Sequence, residues 1–241
     1  MTIQNMERRA FLTGVGALGA SALVPPAALA RDRQVDCALV TGLDASGSFG
    51  PPMILEQTNA VCQALSSLHV QRRMKENGIC MFDFFIWSSE GVDHPGYVDV
   101  VRGYKIRPYS VASDIKILQD ILVASYVGIV EDRIKMPAST DTAFAIRHAR
   151  ELGERYEIPS GGICALNIVT DDDVSRVGNA PMKESEIAIR KGMTVNAMVV
   201  GKDIRYAQTQ IQAGNFSFAM SQNYIGNMVD AWELKLARDL G

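Results

Sequence analysis

The stretch LVTGLDASGSFGPP, residues 39–52, begins as an apolar, β-prone run and ends in a polar turn. The turn carries oxygen-bearing side chains at alternate positions, Asp44, Ser46 and Ser48, although a simple turn needs only one or two such residues. In open α/β sheets, ligands bind just beyond the carboxyl ends of the strands. The stretch therefore predicts a buried strand that ends in a ligand-binding loop.

Strand-like and helix-like segments alternate along the chain. Apolar runs predict strands at 35–44, 79–87, 97–106, 161–171 and 193–201, and a short edge strand at 215–220. Helical periodicity predicts helices at 53–75, 112–125, 141–156, 182–191 and 227–240. The connection at 88–96 is short enough for a hairpin, so the second and third strands are expected to be antiparallel. The sequence thus predicts a three-layer α/β/α fold whose central sheet is mostly parallel, with one antiparallel edge hairpin.

The first thirty residues have the features of an export signal. Arg8 and Arg9 precede an apolar run at 10–24, and Ala28-Leu29-Ala30 suits the small-x-small cleavage rule. The run is shorter than the roughly 20 residues that span a bilayer. Its start resembles a twin-arginine signal, and an ordinary secretory signal with two chance arginines is the alternative. We expect cleavage near Ala30, a periplasmic or secreted protein with no membrane span in its mature form, and a single domain over 31–241.

Charge and cysteine content exclude several classes of function. The net charge of −3 gives no electrostatic reason to expect nucleic acid as a partner. None of the four cysteines lies in a C-x-x-C pair, so there is no support for a zinc or thioredoxin-like site. Each lies in an apolar segment, which predicts buried thiols. A protein that folds before export first meets a reducing cytosol, so no obligatory disulfide bonds are expected.

Two further segments supply oxygen donors that match the first loop. Asp171 ends the apolar run NIVTD, and Thr140 precedes a predicted helix, where Ser139 or Thr140 would cap the helix if it had no other role. Hydroxyl and carboxylate oxygens together suit a hard divalent cation such as Mg²⁺. With only one or two carboxylates nearby, the cation would keep residual positive charge and attract an acidic group from outside.

These residues carry a resemblance to a known family. The segment DASGS, with Asp44, Ser46 and Ser48, resembles the D-x-S-x-S element of von Willebrand factor A-type domains, and TDTAFAI at 140–146 is similar to the T-x-T-x-x-A-I start of a helix in that family. Asp171 in IVTD matches the family's third loop, although Asp172 replaces the glycine that often follows. The strand FFIWSS at 84–89 resembles an uncharacterised exported bacterial branch of the family that has no assigned enzymatic activity.

The resemblance implies a metal-ion-dependent adhesion site. Its metal ligands are then Asp44, Ser46, Ser48, Thr140 and Asp171, with Mg²⁺ as the cation and Mn²⁺ or Ca²⁺ as alternatives. The partner is expected to be a protein that presents an acidic side chain, and no catalysis is expected. A degenerate site, with the fold but no ion, is the other interpretation that the resemblance leaves open.

Enzyme classes fit the sequence less well. A magnesium-dependent phosphatase of the haloacid dehalogenase type is the best alternative, but it needs a second acid where Ser46 stands. A serine-nucleophile elbow lacks its first glycine. The three histidines, His69, His94 and His148, are expected at surface or capping positions, and an EF-hand loop at 171–182 lacks its required Gly and Glu.

Overall fold

A computed structural model of the protein describes residues 35–47, 50–89, 96–130, 140–171, 180–200, 204–214, 217–221 and 227–241. Some sequence predictions concern residues outside this set, namely the export signal at 1–30, His94, Ser48, Ser139 and Asp172. Among the described residues, no helix combines the length and apolar character needed to cross a lipid bilayer.

Within the described residues six strands form one sheet, and their bounds are β1 Cys37–Asp44, β2 Cys80–Trp87, β3 Tyr97–Ile106, β4 Ile163–Thr170, β5 Thr194–Val199 and β6 Ala219–Ser221. Their order across the sheet is β3-β2-β1-β4-β5-β6, and every neighbouring pair is parallel except β2 and β3. All eight residues of β1 are buried, as expected for a parallel strand covered on both faces. The predicted sheet, with its antiparallel edge hairpin, is confirmed.

Helices cover both faces of the sheet. Their bounds are α1 Gly50–Leu65, α2 Leu68–Glu76, α3 Val111–Val130, α4 Thr142–Gly153, α5 Ala180–Arg190 and α6 Met228–Asp239. Alternate residues of β1 divide the core, because Leu39 and Leu43 pack in a cluster with α1, α2, α3 and α6. Ala38 and Val40 point the other way and pack in a cluster with α4 and α5. The fold is therefore the predicted three-layer α/β/α arrangement.

The predicted helix at 53–75 is in fact two helices, α1 and α2. The helical conformation is interrupted at Ser67, whose backbone is extended (φ −65°, ψ 142°). Its hydroxyl accepts a hydrogen bond from the Val70 amide at 3.2 Å. A serine in this role is a helix N-cap, and it starts α2 in a new direction. The apolar spacing runs on through the break, so periodicity alone did not reveal it.

The structure also contains an element that the sequence analysis did not predict. A short π-helix, Ala207–Ile211, follows β5, and the Gln212 amide donates to the Ala207 carbonyl at 2.8 Å. Ala207 and Ile211 are fully buried and pack in the cluster beside α5. At five residues, the π-helix is too short for helical periodicity to identify it.

An irregularity in the β2–β3 pair is held by a buried carboxylate. Asp83 of β2 lies at a register shift between Phe82 and Phe84, and it accepts hydrogen bonds from the Gly103 amide at 2.7 Å and the Tyr156 hydroxyl at 2.6 Å. Gly103 has a φ of +63°, which glycine adopts without strain. Asp83 thus satisfies the backbone where the ladder between β2 and β3 is interrupted.

His148, expected at the surface or as a cap, is buried, so that prediction is wrong. Its Nε2 atom lies 2.7 Å from Asp99 Oδ1, and its ring stacks on Tyr97 with 3.8 Å between the centroids. The pair joins α4 to β3. Trp87 and Trp232 are fully buried, and the four cysteines are buried free thiols, as predicted for the cysteines.

Close packing at Gly42 leads to a testable prediction. A Cβ atom at this position would lie 2.8 and 2.9 Å from two ring carbons of Phe85, which is itself fully buried and packed edge-on against His148. Because the ring has nowhere to move, we expect Gly42→Ala to lower the free energy of unfolding by about 1–3 kcal/mol. Urea denaturation of Gly42→Ala, and of the same variant with Phe85→Leu, measures this. Equal stabilities of Gly42→Ala and wild type would contradict it.

Candidate metal centre

Asp44 lies where the order of the sheet reverses. It is the last residue of β1, which lies between β2 and β4. The helix that follows β1, α1, packs on one face of the sheet, and the helix that follows β4, α5, packs on the other. Such a point forms a crevice beyond the carboxyl ends of the strands, where ligands bind. Asp44 lies level with Trp87 of β2, and the register of β1 with β4 brings it beside Thr170. The predicted position of Asp44 at the carboxyl end of the first strand therefore agrees with the structure.

The Asp44 carboxylate is held by two described hydrogen bonds. The Ser46 amide donates to Oδ1 at 2.8 Å, and the Thr170 hydroxyl donates to Oδ2, also at 2.8 Å. The first bond shapes the turn after β1, and the second joins the ends of β1 and β4. Because Asp44 is fully buried, these bonds fix its carboxylate in one orientation.

Burial raises the pKa of Asp44 to about 6, because the charged carboxylate loses hydration. Hydrogen bonds from Ser46 and Thr170 act in the opposite direction, and the charge of Asp171 raises the pKa further. Asp171 directly follows Thr170, whose hydroxyl bonds the Asp44 carboxylate, so the two acids end neighbouring strands. A cation between them would relieve both the repulsion and the lost hydration.

This pKa predicts how stability depends on pH when no divalent cation is present. The folded-state pKa of about 6 exceeds the ordinary value of 3.8, so the folded protein holds its proton more tightly than the unfolded chain does. The contribution of Asp44 to stability should therefore be largest below pH 4. The free energy of unfolding should fall by about 3 kcal/mol as the pH rises through 6. Urea denaturation in chelator from pH 4 to pH 7, compared with Asp44→Asn, measures the difference. Parallel curves for the two proteins would contradict the prediction.

Two of the other predicted ligands, Ser46 and Asp171, lie near Asp44 at the ends of neighbouring strands. Ser46 follows in the turn after β1 and is almost completely buried. Asp171 follows Thr170 directly at the end of β4 and is half-buried. The structure therefore brings Asp44, Ser46 and Asp171 together at one edge of the sheet.

Thr140 lies at the same edge, just before the start of α4. The side chain that caps α4 is Asp141, whose Oδ1 accepts from the Phe144 amide at 3.0 Å, so the alternative role of Thr140 as the helix cap does not hold. The Thr140 hydroxyl is thus not used to cap the helix, and Thr140 is half-buried. Ser48, the remaining predicted ligand, lies outside the described residues.

Sequence reasoning missed one residue of this constellation, Thr170. Its hydroxyl bonds the Asp44 carboxylate, a contact that depends on the register in which Leu43 faces Val169. The only signal in the sequence is its position immediately before Asp171. Thr170 orients the carboxylate from a neighbouring strand and is therefore a supporting residue of the site.

The chemistry of the donor set fits a hard divalent cation. In the part of the chain that the structure describes, no three His, Cys, Asp or Glu side chains gather in a way that would hold a metal ion. The candidate centre instead offers two carboxylates, Asp44 and Asp171, together with the hydroxyls of Ser46 and Thr140. Oxygen donors of this kind suit Mg²⁺ or Ca²⁺ better than soft metals, which prefer sulfur.

The fold and the site define a doubly wound α/β protein with an oxygen-rich crevice at its topological switch point. Its sequence matches no protein-family model and no curated protein. Among solved structures it resembles the pilus adhesin SpaC from Lactobacillus rhamnosus GG, with a TM-score of 0.56 and 16% identity over 86% of this chain and 30% of that one. It also resembles a von Willebrand factor type A protein from Catenulispora acidiphila, with a TM-score of 0.52 and 13% identity over 86% of this chain and 43% of that one. The chain therefore has a von Willebrand factor A-like fold.

A third similar structure is proximal thread matrix protein 1 from the mussel byssus. The TM-score is 0.57 at 15% identity, over 84% of this chain and 47% of that one. Another structure of the same mussel protein has zinc in its metal-ion-dependent adhesion motif, with a TM-score of 0.50, 14% identity and coverage of 84% and 46%. The chain thus spans between 30% and 47% of the length of these three proteins.

Proposed function

We propose that this protein is an exported module that binds another protein through a divalent cation. The observation that carries the proposal is the buried Asp44 carboxylate, fixed by Ser46 and Thr170 beside Asp171 at the switch point of the sheet. Burying a charged carboxylate beside another acid lowers the stability of the folded protein unless a cation compensates the charge. Binding a cation is therefore the role that this geometry supports best.

The proposed ligands are the set predicted from sequence, Asp44, Ser46, Ser48, Thr140 and Asp171. Hydroxyls ligate directly, while the two carboxylates ligate directly or through water and orient the serines. Neutral hydroxyls leave the ion with residual positive charge, so a coordination position remains attractive to a carboxylate from outside. The proposed partner is accordingly a protein with an exposed acidic side chain.

The proposed cation is Mg²⁺, with Mn²⁺ and Ca²⁺ as alternatives on the same oxygen donors. The zinc in the adhesion motif of the mussel protein supports a divalent cation on this fold and adds Zn²⁺ to the ions to be compared. The likeness to a pilus adhesin and a byssus matrix protein supports a binding role outside the cytoplasm. Export through the signal at 1–30, with cleavage near Ala30, remains part of the proposal.

Calorimetric titration and affinity capture test the proposal together. Purified protein is titrated with Mg²⁺, Mn²⁺, Ca²⁺ and Zn²⁺, and is then used as bait in periplasmic extract with and without chelator. We expect one divalent ion to bind per chain, and a captured protein that chelator releases. Absence of binding by every ion would overturn the proposal, and metal-dependent release of phosphate from a generic ester would favour the phosphatase alternative.

A further inference from the structure

Thr142 presents a buried hydroxyl that nothing in the described protein satisfies. It is the first residue of α4, its side chain is fully buried, and its Oγ1 atom has no hydrogen-bond partner within the described residues. A buried hydroxyl without a partner is unfavourable, and native proteins rarely retain one without a reason. Its missing partner would have to be a water molecule or a ligand.

The packing of α4 locates this hydroxyl along the sheet. His148 lies six residues after Thr142, about 9 Å along the helix axis, and its ring packs edge-on against Phe85 at 4.8 Å. Phe85 lies opposite Gly42, and Asp44 lies two residues further along β1, about 7 Å toward the carboxyl edge. Thr142 therefore lies close to the level of Asp44, at the carboxyl edge of the sheet.

The direction of α4 agrees with this placement. A Cβ atom added to Gly153, the last residue of α4, would lie 3.1 Å from Cys164 Sγ, at the start of β4. The helix therefore runs from the carboxyl edge of the sheet to the amino edge, and it begins at the candidate metal centre. Asp44 shares its face of β1 with Ala38 and Val40, which pack in the cluster with α4. The hydroxyl and the carboxylate thus share the space between α4 and the sheet.

Capping of the helix does not account for the Thr142 hydroxyl. The side chain that caps α4 is Asp141, which bonds the Phe144 amide. The described hydrogen bonds to the Asp44 carboxylate come from Ser46 and Thr170. The hydroxyl is therefore available for a group that arrives with the ligand.

We infer that Thr142 is a positioning residue of the cation site, and that its hydroxyl holds a water molecule of the cation's hydration shell. This inference rests on the proposed function. Mg²⁺ usually keeps several of its waters when it binds a protein, and those waters need hydrogen-bond partners. Groups that orient metal ligands from outside the coordination shell typically change metal affinity by 10- to 100-fold when they are removed.

Removing the hydroxyl should have opposite effects with and without the metal. We expect Thr142→Val to weaken Mg²⁺ binding about tenfold and, in chelator, to melt at or above the wild-type temperature, because an unsatisfied buried hydroxyl is lost. Thr142→Ser keeps the hydroxyl and should bind Mg²⁺ within about twofold of wild type. Calorimetric titration with MgCl₂ and thermal melts in chelator measure both quantities.

Thr58→Val is the matched control. Thr58 is also a buried helical threonine, but its hydroxyl donates to the Ile54 carbonyl at 2.8 Å, so its replacement should lower the melting temperature in chelator and leave Mg²⁺ affinity unchanged. Wild-type Mg²⁺ affinity in Thr142→Val would overturn the role of Thr142 while leaving the cation site intact. Loss of affinity in both Thr142→Ser and Thr142→Val would also overturn it, since the hydroxyl would then not be the cause. If wild-type protein bound no Mg²⁺, Mn²⁺, Ca²⁺ or Zn²⁺, the proposed function itself would fail.

Discussion

Asp44→Asn should abolish stabilisation of the protein by Mg²⁺. The substitution removes the charge that the cation compensates, and it keeps an oxygen that accepts the hydrogen bond from Ser46 or Thr170. An ion that binds only the folded wild type, at a concentration 100-fold above its dissociation constant, stabilises it by about 2.7 kcal/mol. For a domain of this size the melting temperature should then rise by roughly 5–10 °C. Thermal melts of the variant in MgCl₂ and in chelator should coincide.

Asp83→Asn is the control for this experiment. Asp83 is another buried aspartate with a raised pKa, caused mainly by burial, and it too accepts from a hydroxyl and an amide. It lies opposite Val40, four residues before Asp44 on β1, or about 13 Å from the candidate centre. Asp83→Asn should therefore keep the full shift of wild type, whatever its own stability. Equal shifts in the Asp44 and Asp83 variants would contradict the assignment of Asp44 to the site.

The central strands were predictable because burial on both faces leaves a strong pattern. The runs that became β1, β4 and β5 are almost continuously apolar, as a parallel sheet between two helical layers requires. The break between α1 and α2 was not predictable from spacing, because it depends on one serine taking an extended backbone conformation. The burial of His148 was missed for a related reason, since its partner Asp99 lies 49 residues away on β3.

The candidate centre was predictable in outline because it follows from topology. Residues that end parallel strands meet at one edge, so the order of Asp44, Thr140 and Asp171 along the chain was enough to bring their segments to that edge. The supporting contacts were not predictable in this way. The bond between Thr170 and Asp44 depends on the register of two strands, and Asp141 and Thr140 are both residues that can cap a helix.

A buried ion pair lies on the face of the sheet opposite to the Asp44 carboxylate. Lys235 of α6 is fully buried, and its Nζ atom donates to Asn167 Oδ1 at 2.6 Å and lies 3.4 Å from Asp239 Oδ2. Asn196 of β5 donates to Asp239 Oδ1 at 2.8 Å. Burial lowers the pKa of Lys235 and raises that of Asp239, and each charge opposes the change in the other. The network therefore ties α6 to β4 and β5 through a pair of charges that water does not reach.

Asp239→Ala should lower the free energy of unfolding by about 3–5 kcal/mol, because it leaves the Lys235 ammonium buried without its counter-charge. The double variant Lys235→Met with Asp239→Ala should recover most of this loss, since an apolar side chain then fills the space and no charge remains unpaired. Urea denaturation at pH 7 of wild type and of the two variants gives the three free energies.

An exposed ion pair supplies the comparison. Arg72 and Glu76 of α2 lie 3.9 Å apart with side chains 64% and 56% exposed, so Glu76→Ala should change stability by less than about 1 kcal/mol. If the double variant were as unstable as Asp239→Ala alone, packing around Asp239, and not an unpaired charge, would be the source of the loss. If Asp239→Ala were as mild as Glu76→Ala, the buried Lys235 would not depend on its counter-charge, and the ion pair would not be what ties α6 to the sheet.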